Sequence, residues 1–131
     1  MAARPREKDL TPAQTKELVS ALHEKRDELL TALKSRRSGS AQEPRQGTGD
    51  EADQATEDAE VALETRLMDR DAKLLREVER ALDKVKNGTY GLCEGTEEPI
   101  GYARLKLRPW TRYSVTHKEE LEREQKRQGE G

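Results

Sequence analysis

The sequence predicts a mainly α chain. It reads as an antiparallel helical hairpin of coiled-coil type, followed by a small globular knob and a short carboxy-terminal helix. Three observations predict this. Leu and Val recur at helical intervals on a background that is 40% charged. Helix start and stop signals bracket two long stretches. All four aromatic residues, Tyr90, Tyr102, Trp110 and Tyr113, fall in one short segment. Only 31% of the 131 residues are hydrophobic and none is Phe. A compact globular domain is usually near half apolar, so one large core is excluded, as is an enzyme pocket walled by apolar and aromatic side chains.

Residues 1–10 read as a flexible amino terminus. The hairpin is expected over residues 11–87. Thr11-Pro12-Ala13-Gln14 opens the first helix with a capping box, in which the Thr and Gln side chains satisfy backbone N–H groups that the first turn leaves unpaired. Leu18, Leu22, Leu29 and Leu33 form its apolar stripe, interrupted at Lys25. This helix is expected to end near Ser38-Gly39. A tip loop of about residues 39–52 follows, rich in Gly with Pro44. The second helix is expected from about Asp50 to Lys86, with the stripe Leu63, Leu67, Leu74, Val78, Leu82 and Val85. Its length is about 50 Å at 1.5 Å per residue. Asn87-Gly88 supplies the stop. Neither helix is stable alone on one narrow stripe, so they should pair, with the loop at the far tip.

Residues 88–117 form the expected knob, with Ile100, Leu105 and Leu107 joining the aromatics in its core. Residues 118–131 read as a polar helix, from about His117 to Lys126, and a disordered tail. Charge is sorted along this plan. Between Gln46 and Thr65 lie Asp50, Glu51, Asp53, Glu57, Asp58, Glu60 and Glu64 and no base. Between Pro99 and Lys118 lie Arg104, Lys106, Arg108, Arg112 and Lys118 and no acid. The net charge of −2 therefore hides a dipolar arrangement, while giving no global positive field that would draw the chain to DNA or anionic membranes. The longest apolar runs are too short to span a bilayer, the amino terminus lacks a secretory apolar stretch, and one cysteine excludes an intrachain disulfide. A cytoplasmic protein fits these features.

Gly88-Thr89-Tyr90-Gly91-Leu92-Cys93-Glu94, Glu98-Pro99-Ile100-Gly101, Arg104-Leu105 and Arg108-Pro109 together resemble the zinc-finger region of the TraR/DksA family of bacterial regulators that bind RNA polymerase. Asp69-Arg70-Asp71-Ala72-Lys73-Leu74 resembles the family's charged second helix. Asp50-Glu51-Ala52-Asp53-Gln54-Ala55 matches the Asp-x-x-Asp-x-Ala motif of its coiled-coil tip, at the position where the hairpin independently puts a tip. The resemblance covers Asp50 to Lys118 without a gap and is architectural only before residue 50. It implies a non-enzymatic, probe-like regulator that binds RNA polymerase, inserts Asp50, Asp53 and Ala55 into the secondary channel and modulates promoter complexes without reading DNA sequence. It would act as a monomer. Acids at a helix start also favour the positive dipole end, with or without a partner.

The four finger positions of the family hold Cys93, Thr96, Ser114 and His117 here. Structural zinc takes four Cys or His ligands, so the expectation is a degenerate finger that holds no metal. The resemblance further suggests guanosine tetraphosphate as an effector at Arg70, Arg108 and Lys118, whose charges suit phosphate. A fourth basic position of the family is Glu77 here, which would repel a polyphosphate. Other readings are an adaptor that does not act on polymerase, a zinc-binding member with unusual ligands, and a factor stimulating transcript cleavage. Cys93 reads as a small semi-buried residue rather than a redox sensor.

Overall fold

A computed structural model describes residues 9–40 and 51–130. Among them there are four helices: α1 (Pro12–Ser40), α2 (Glu51–Asn87), α3 (Tyr102–Leu107) and α4 (Val115–Glu130). The mainly α class expected from the sequence is the class observed. The chain divides into two compact units, one of residues 1–24 with 77–131 and one of residues 25–76.

In the first unit, α1 begins with the expected reciprocal cap. The Gln14 N–H donates to Thr11 Oγ1 at 3.1 Å and the Thr11 N–H donates to Gln14 Oε1 at 3.0 Å. Leu18 and Leu22 of α1 and Val78, Ala81 and Leu82 of α2 are buried. The end of α2 is closed by a Schellman motif. Gly88 takes φ +76°, its N–H donates to the Val85 carbonyl, and the Thr89 N–H donates to the Lys84 carbonyl at 2.9 Å. Gly at this position adopts the left-handed conformation without a Cβ penalty, which turns the chain out of the helix and into the knob. The knob's core is Leu18, Cys93, Ile100 and Leu105, with Leu10, Tyr90, Tyr102 and Tyr113 packed against it. Tyr90 donates its hydroxyl to the Pro109 carbonyl at 2.8 Å and Tyr102 donates to Glu17 Oε2 at 2.6 Å, so each half-buried ring ends on a polar partner.

In the second unit, Leu29 is buried and Leu33, Leu67 and Leu74 are half-buried. Asp71 of α2, 6% exposed, is the buried charge. It accepts a hydrogen bond from Arg36 of α1, which also reaches Glu64 at 3.2 Å. This ionic cross-link joins the two helices where the apolar stripe thins.

Several expectations are corrected. Helix α1 continues through Gly39 and Ser40, and α2 already holds Glu51 and Ala52, so the expected loop of 39–52 is helical at both ends; residues 41–50 lie outside the described residues. Leu10 is not part of a loose terminus but packs on the knob core; residues 1–8 lie outside the described residues. The knob contains α3, which the sequence reading left irregular. Leu107 is 83% exposed and Leu63 is 51% exposed, so neither belongs to a core. Residues two apart on a helix point about 200° from one another, so with Leu105 turned inward Leu107 must turn out. Helix α4 starts at Val115 and runs to Glu130, through residues expected to form a disordered tail. Glu119 and Arg123, and Glu122 and Lys126, stand four apart with the acid first, the spacing and order that support a solvated helix.

Candidate functional site

The knob is built on a short antiparallel bridge between Leu92 and Pro99. The Cys93 N–H donates to the Glu98 carbonyl at 2.7 Å and the Ile100 N–H to the Gly91 carbonyl at 2.8 Å. Between them the chain reverses, with the Glu97 N–H donating to the Cys93 carbonyl and Glu97 at φ +61°. This reversal folds a cup around the Cys93 sulfur. Burial pushes the thiol up, but the Thr96 hydroxyl and the N–H groups of Ser114, Thr96 and Gly95 outweigh it and bring it down to about 6. Cys93 is thus fully buried with hydrogen-bond donors turned on its sulfur, where the sequence suggested a small semi-buried residue.

The four finger positions converge on this cup. Thr96 and Ser114 contact the sulfur as described. His117 lies over Gly95 so closely that a Cβ there would come within 2.0 Å of Nε2. Its ring stands 5.1 Å from that of Tyr113, and its buried Nδ1 has no hydrogen-bond partner among the described residues. The residues do not fit a structural zinc ion. Cys93 is the only thiol of the chain. The hydroxyl of Thr96 donates to the sulfur while its oxygen accepts the Glu98 N–H, and the Ser114 oxygen accepts the His117 N–H at the start of α4. Two of the four positions are therefore neutral hydroxyls already engaged, where a closed tetrahedron needs thiolate or imidazole.

The residue after Cys93 carries a two-armed ion pair. Glu94 receives Arg80 of α2 at 2.7 Å on one oxygen and Arg112 at 2.7 Å on the other. Its own burial raises its pKa, and the two guanidinium groups, Arg112 foremost, more than reverse this and hold it below the usual carboxylate range. Nearby, Lys84 donates to the Leu92 carbonyl at 2.8 Å, and desolvation lowers its pKa. Glu94, Arg80 and Arg112 were not singled out from the sequence. They are 14 and 18 residues apart, with no motif to join them.

Beside this clamp a cleft of about 380 Å³ opens, lined among others by Arg104, Arg108, Arg112, Lys118, Trp110 and Glu77. It brings together two of the three cations that the sequence reading assigned to an effector. The third, Arg70, lies in the other unit, its side chain 71% exposed and 3.6 Å from Asp71. At the start of α2, Asp53 and Ala55 are exposed on the first turns. Thr56 returns its hydroxyl to the Ala52 carbonyl at 3.0 Å. Asp50 lies outside the described residues.

Comparison with known proteins matches these two parts to one family. Residues 14–85 match the DnaK suppressor protein DksA, N-terminal domain, and residues 88–123 match the prokaryotic dksA/traR C4-type zinc finger. The chain belongs to the DksA/TraR family. Among its relatives is the RNA polymerase-binding transcription factor DksA of Caulobacter vibrioides, 46% identical over 77 residues that cover 59% of this chain and 54% of that protein. The protein of the same name from Escherichia coli is 40% identical over 60 residues, covering 46% of this chain and 40% of that one. The chain thus matches about half the length of the first of these and less of the second. Transcription factor DksA2 from Pseudomonas aeruginosa has a similar structure, with TM-score 0.76, 30% identity and 94% of each chain covered. The zinc-finger signature of the DksA family is present in this member with one cysteine, so the finger's frame is kept and its C4 ligand set is not. Among the described residues no group of three or more His, Cys, Asp or Glu is placed to hold a metal ion. No described helix is long and apolar enough to cross a membrane.

Proposed function

We propose that this chain is a bacterial transcription regulator that binds RNA polymerase directly and catalyses no reaction of its own. The observation that carries the reading is the match of residues 14–85 and 88–123 to the two parts of one family. Members of that family in Caulobacter and Escherichia bear the name of RNA polymerase-binding transcription factors. In this reading the acidic start of α2, with Asp53 and Ala55 exposed and Asp50 before them, enters the secondary channel and alters promoter complexes. The small Ala55 allows close approach, and the Asp53 carboxylate acts near the catalytic centre of the polymerase. DNA sequence is not read. The working form is a cytoplasmic monomer with no membrane partner.

The knob serves as the seat on the polymerase and holds its shape without zinc, through the Cys93 cup and the Glu94 clamp. A phosphate-rich effector of the guanosine tetraphosphate kind binds at Arg108 and Lys118. Co-purification of the full chain with core RNA polymerase tests the reading. Enrichment with polymerase is expected, and no enrichment refutes it. Asp53→Asn should keep that enrichment while removing at least about 1.4 kcal/mol of regulatory effect, a tenfold change in promoter-complex lifetime relative to the wild type. Equal lifetimes with both proteins would refute the role of the tip.

A further inference from the structure

Each of the two long helices carries a seam with the alternating four and three spacing of a coiled coil. On α1 it runs Leu18, Leu22, Lys25, Leu29, Ala32 and Arg36, and on α2 Leu67, Asp71, Leu74, Val78, Ala81 and Val85. In the unit of residues 25–76, two of these seam positions are ionic and they meet. Asp71 is only 6% exposed and accepts a hydrogen bond from Arg36, whose side chain is 23% exposed. Arg36 Nε also reaches Glu64 at 3.2 Å. Arg70 stands 3.6 Å from Asp71 as its neighbour on α2, so that contact stays within one helix.

Burying charge at a seam is a poor route to stability. Apolar side chains of similar volume in place of a buried ion pair are often neutral or stabilising. What a polar seam position does supply is register, because paired helices that slip leave it without its partner. Leucine seams resist slipping weakly, since one leucine can stand in for another a turn away. The geometry makes this ionic layer selective along the helix axis. Glu64 and Asp71 stand seven residues apart on α2, about 10 Å at 1.5 Å per residue, and one guanidinium touches both. A slide of α1 by one turn, about 5.4 Å, keeps at most one of these partners. We infer that Arg36 and Asp71 are positioning residues: they lock the axial register of α1 against α2 in this unit and so fix how α2 presents its exposed acidic start, with Asp53 and Ala55. The last step, from register to regulation, rests on the polymerase reading.

The experiment reads register directly. The full chain is spin-labelled through T31C and K73C, two exposed sites of the unit, with the buried Cys93 left in place. In that background the wild-type layer, the apolar layer R36L/D71L and the conservative D71N are compared by electron–electron distance measurement, thermal unfolding, polymerase co-purification and promoter-complex lifetime. The wild-type layer should give one narrow distance. R36L/D71L should unfold at the same temperature or higher and co-purify with polymerase, yet show a second distance displaced by roughly 5 Å and lose about tenfold of the effect on lifetime. D71N, whose amide oxygen still accepts the Arg36 hydrogen bond, should keep the narrow distance and the full effect. A single unshifted distance in R36L/D71L would overturn the lock, and so would its failure to fold while D71N behaves as wild type, since the layer would then serve stability alone. A second distance with an unchanged effect on lifetime would overturn the link from register to regulation. If the wild-type chain itself neither co-purifies with polymerase nor alters promoter complexes, the polymerase reading fails, and the distances still decide the lock.

Discussion

In the unit formed by residues 1–24 and 77–131, eight hydrophobic side chains are buried among the described residues. In the unit of residues 25–76, Leu29 is the one hydrophobic residue among the described residues to reach that level, and the carboxylate residue Asp71 is buried as well. Both units contain stretches of α1 and α2 with similarly spaced leucines, so periodicity does not explain the difference. The first unit adds a third layer, the finger, whose Cys93, Ile100 and Leu105 close over Leu18. The second has only helix against helix, and its α2 residues 52–66 are exposed apart from a half-buried Glu57. A stripe one residue wide buries little without a third element. The lesson is that in this chain the finger supplies the third layer that completes the core begun by α1 and α2, which the acidic stretch of α2 lacks.

The largest effect should come from breaking the richer unit. Leu105 is fully buried, and its replacement by Ala removes a packed side chain and leaves a cavity, at a cost of about 3 kcal/mol. Leu63→Ala, at a site 51% exposed, should cost under about 0.5 kcal/mol. Urea denaturation monitored by circular dichroism compares the two. Similar losses would show that the stripe, not the finger core, carries stability.

In the poorer unit the sensitive point is ionic. Asp71→Ala strips Arg36 of its buried partner. Breaking a buried pair costs roughly 3–5 kcal/mol, but Arg36 keeps Glu64 and is itself partly exposed, so about 2 kcal/mol is expected. Hydrogen exchange should locate the loss in residues 25–40 and 51–76. Protection falling instead in the knob would contradict the division into two units.

Most of the helical plan was legible. The capping box at Thr11 and Gln14 and the stop at Asn87-Gly88 are local signals, complete within a few residues, and both are found with their hydrogen bonds. What the sequence concealed is non-local. Asp71 sits in a run of charges that looks solvated, and its partner is 35 residues away. Helix α3 is only six residues long, too short for a period to stand out, and Leu107 was assigned to the core because composition cannot tell which of two nearby leucines faces in. Of the proposed site, the four finger positions converge, and Arg108 and Lys118 share a cleft. The lowered pKa of Cys93 could not be read, because the Thr96 hydroxyl and the N–H groups of Ser114, Thr96 and Gly95 that lower it are brought to the sulfur only by the folded loop.

The smallest and most specific effect concerns the clamp that holds the finger to α2. Glu94→Gln keeps the shape and removes the charge that Arg80 and Arg112 share. Arg80 is half-exposed and Arg112 a third exposed, so solvent screening reduces the loss to about 1 kcal/mol. The pH dependence identifies the group. The Glu94 pKa is depressed in the folded chain, so an unfolded chain holds the proton more tightly. The stabilisation is then complete above the ordinary value of 4.5 and is lost as pH falls below it toward the depressed folded value. The difference in thermal midpoint between wild type and E94Q should be constant from pH 6 to 8 and close as the solution is acidified below about 4.5. A difference that persists unchanged in acid would mean that the Gln disturbs packing, and the clamp would then owe its strength to shape rather than to charge.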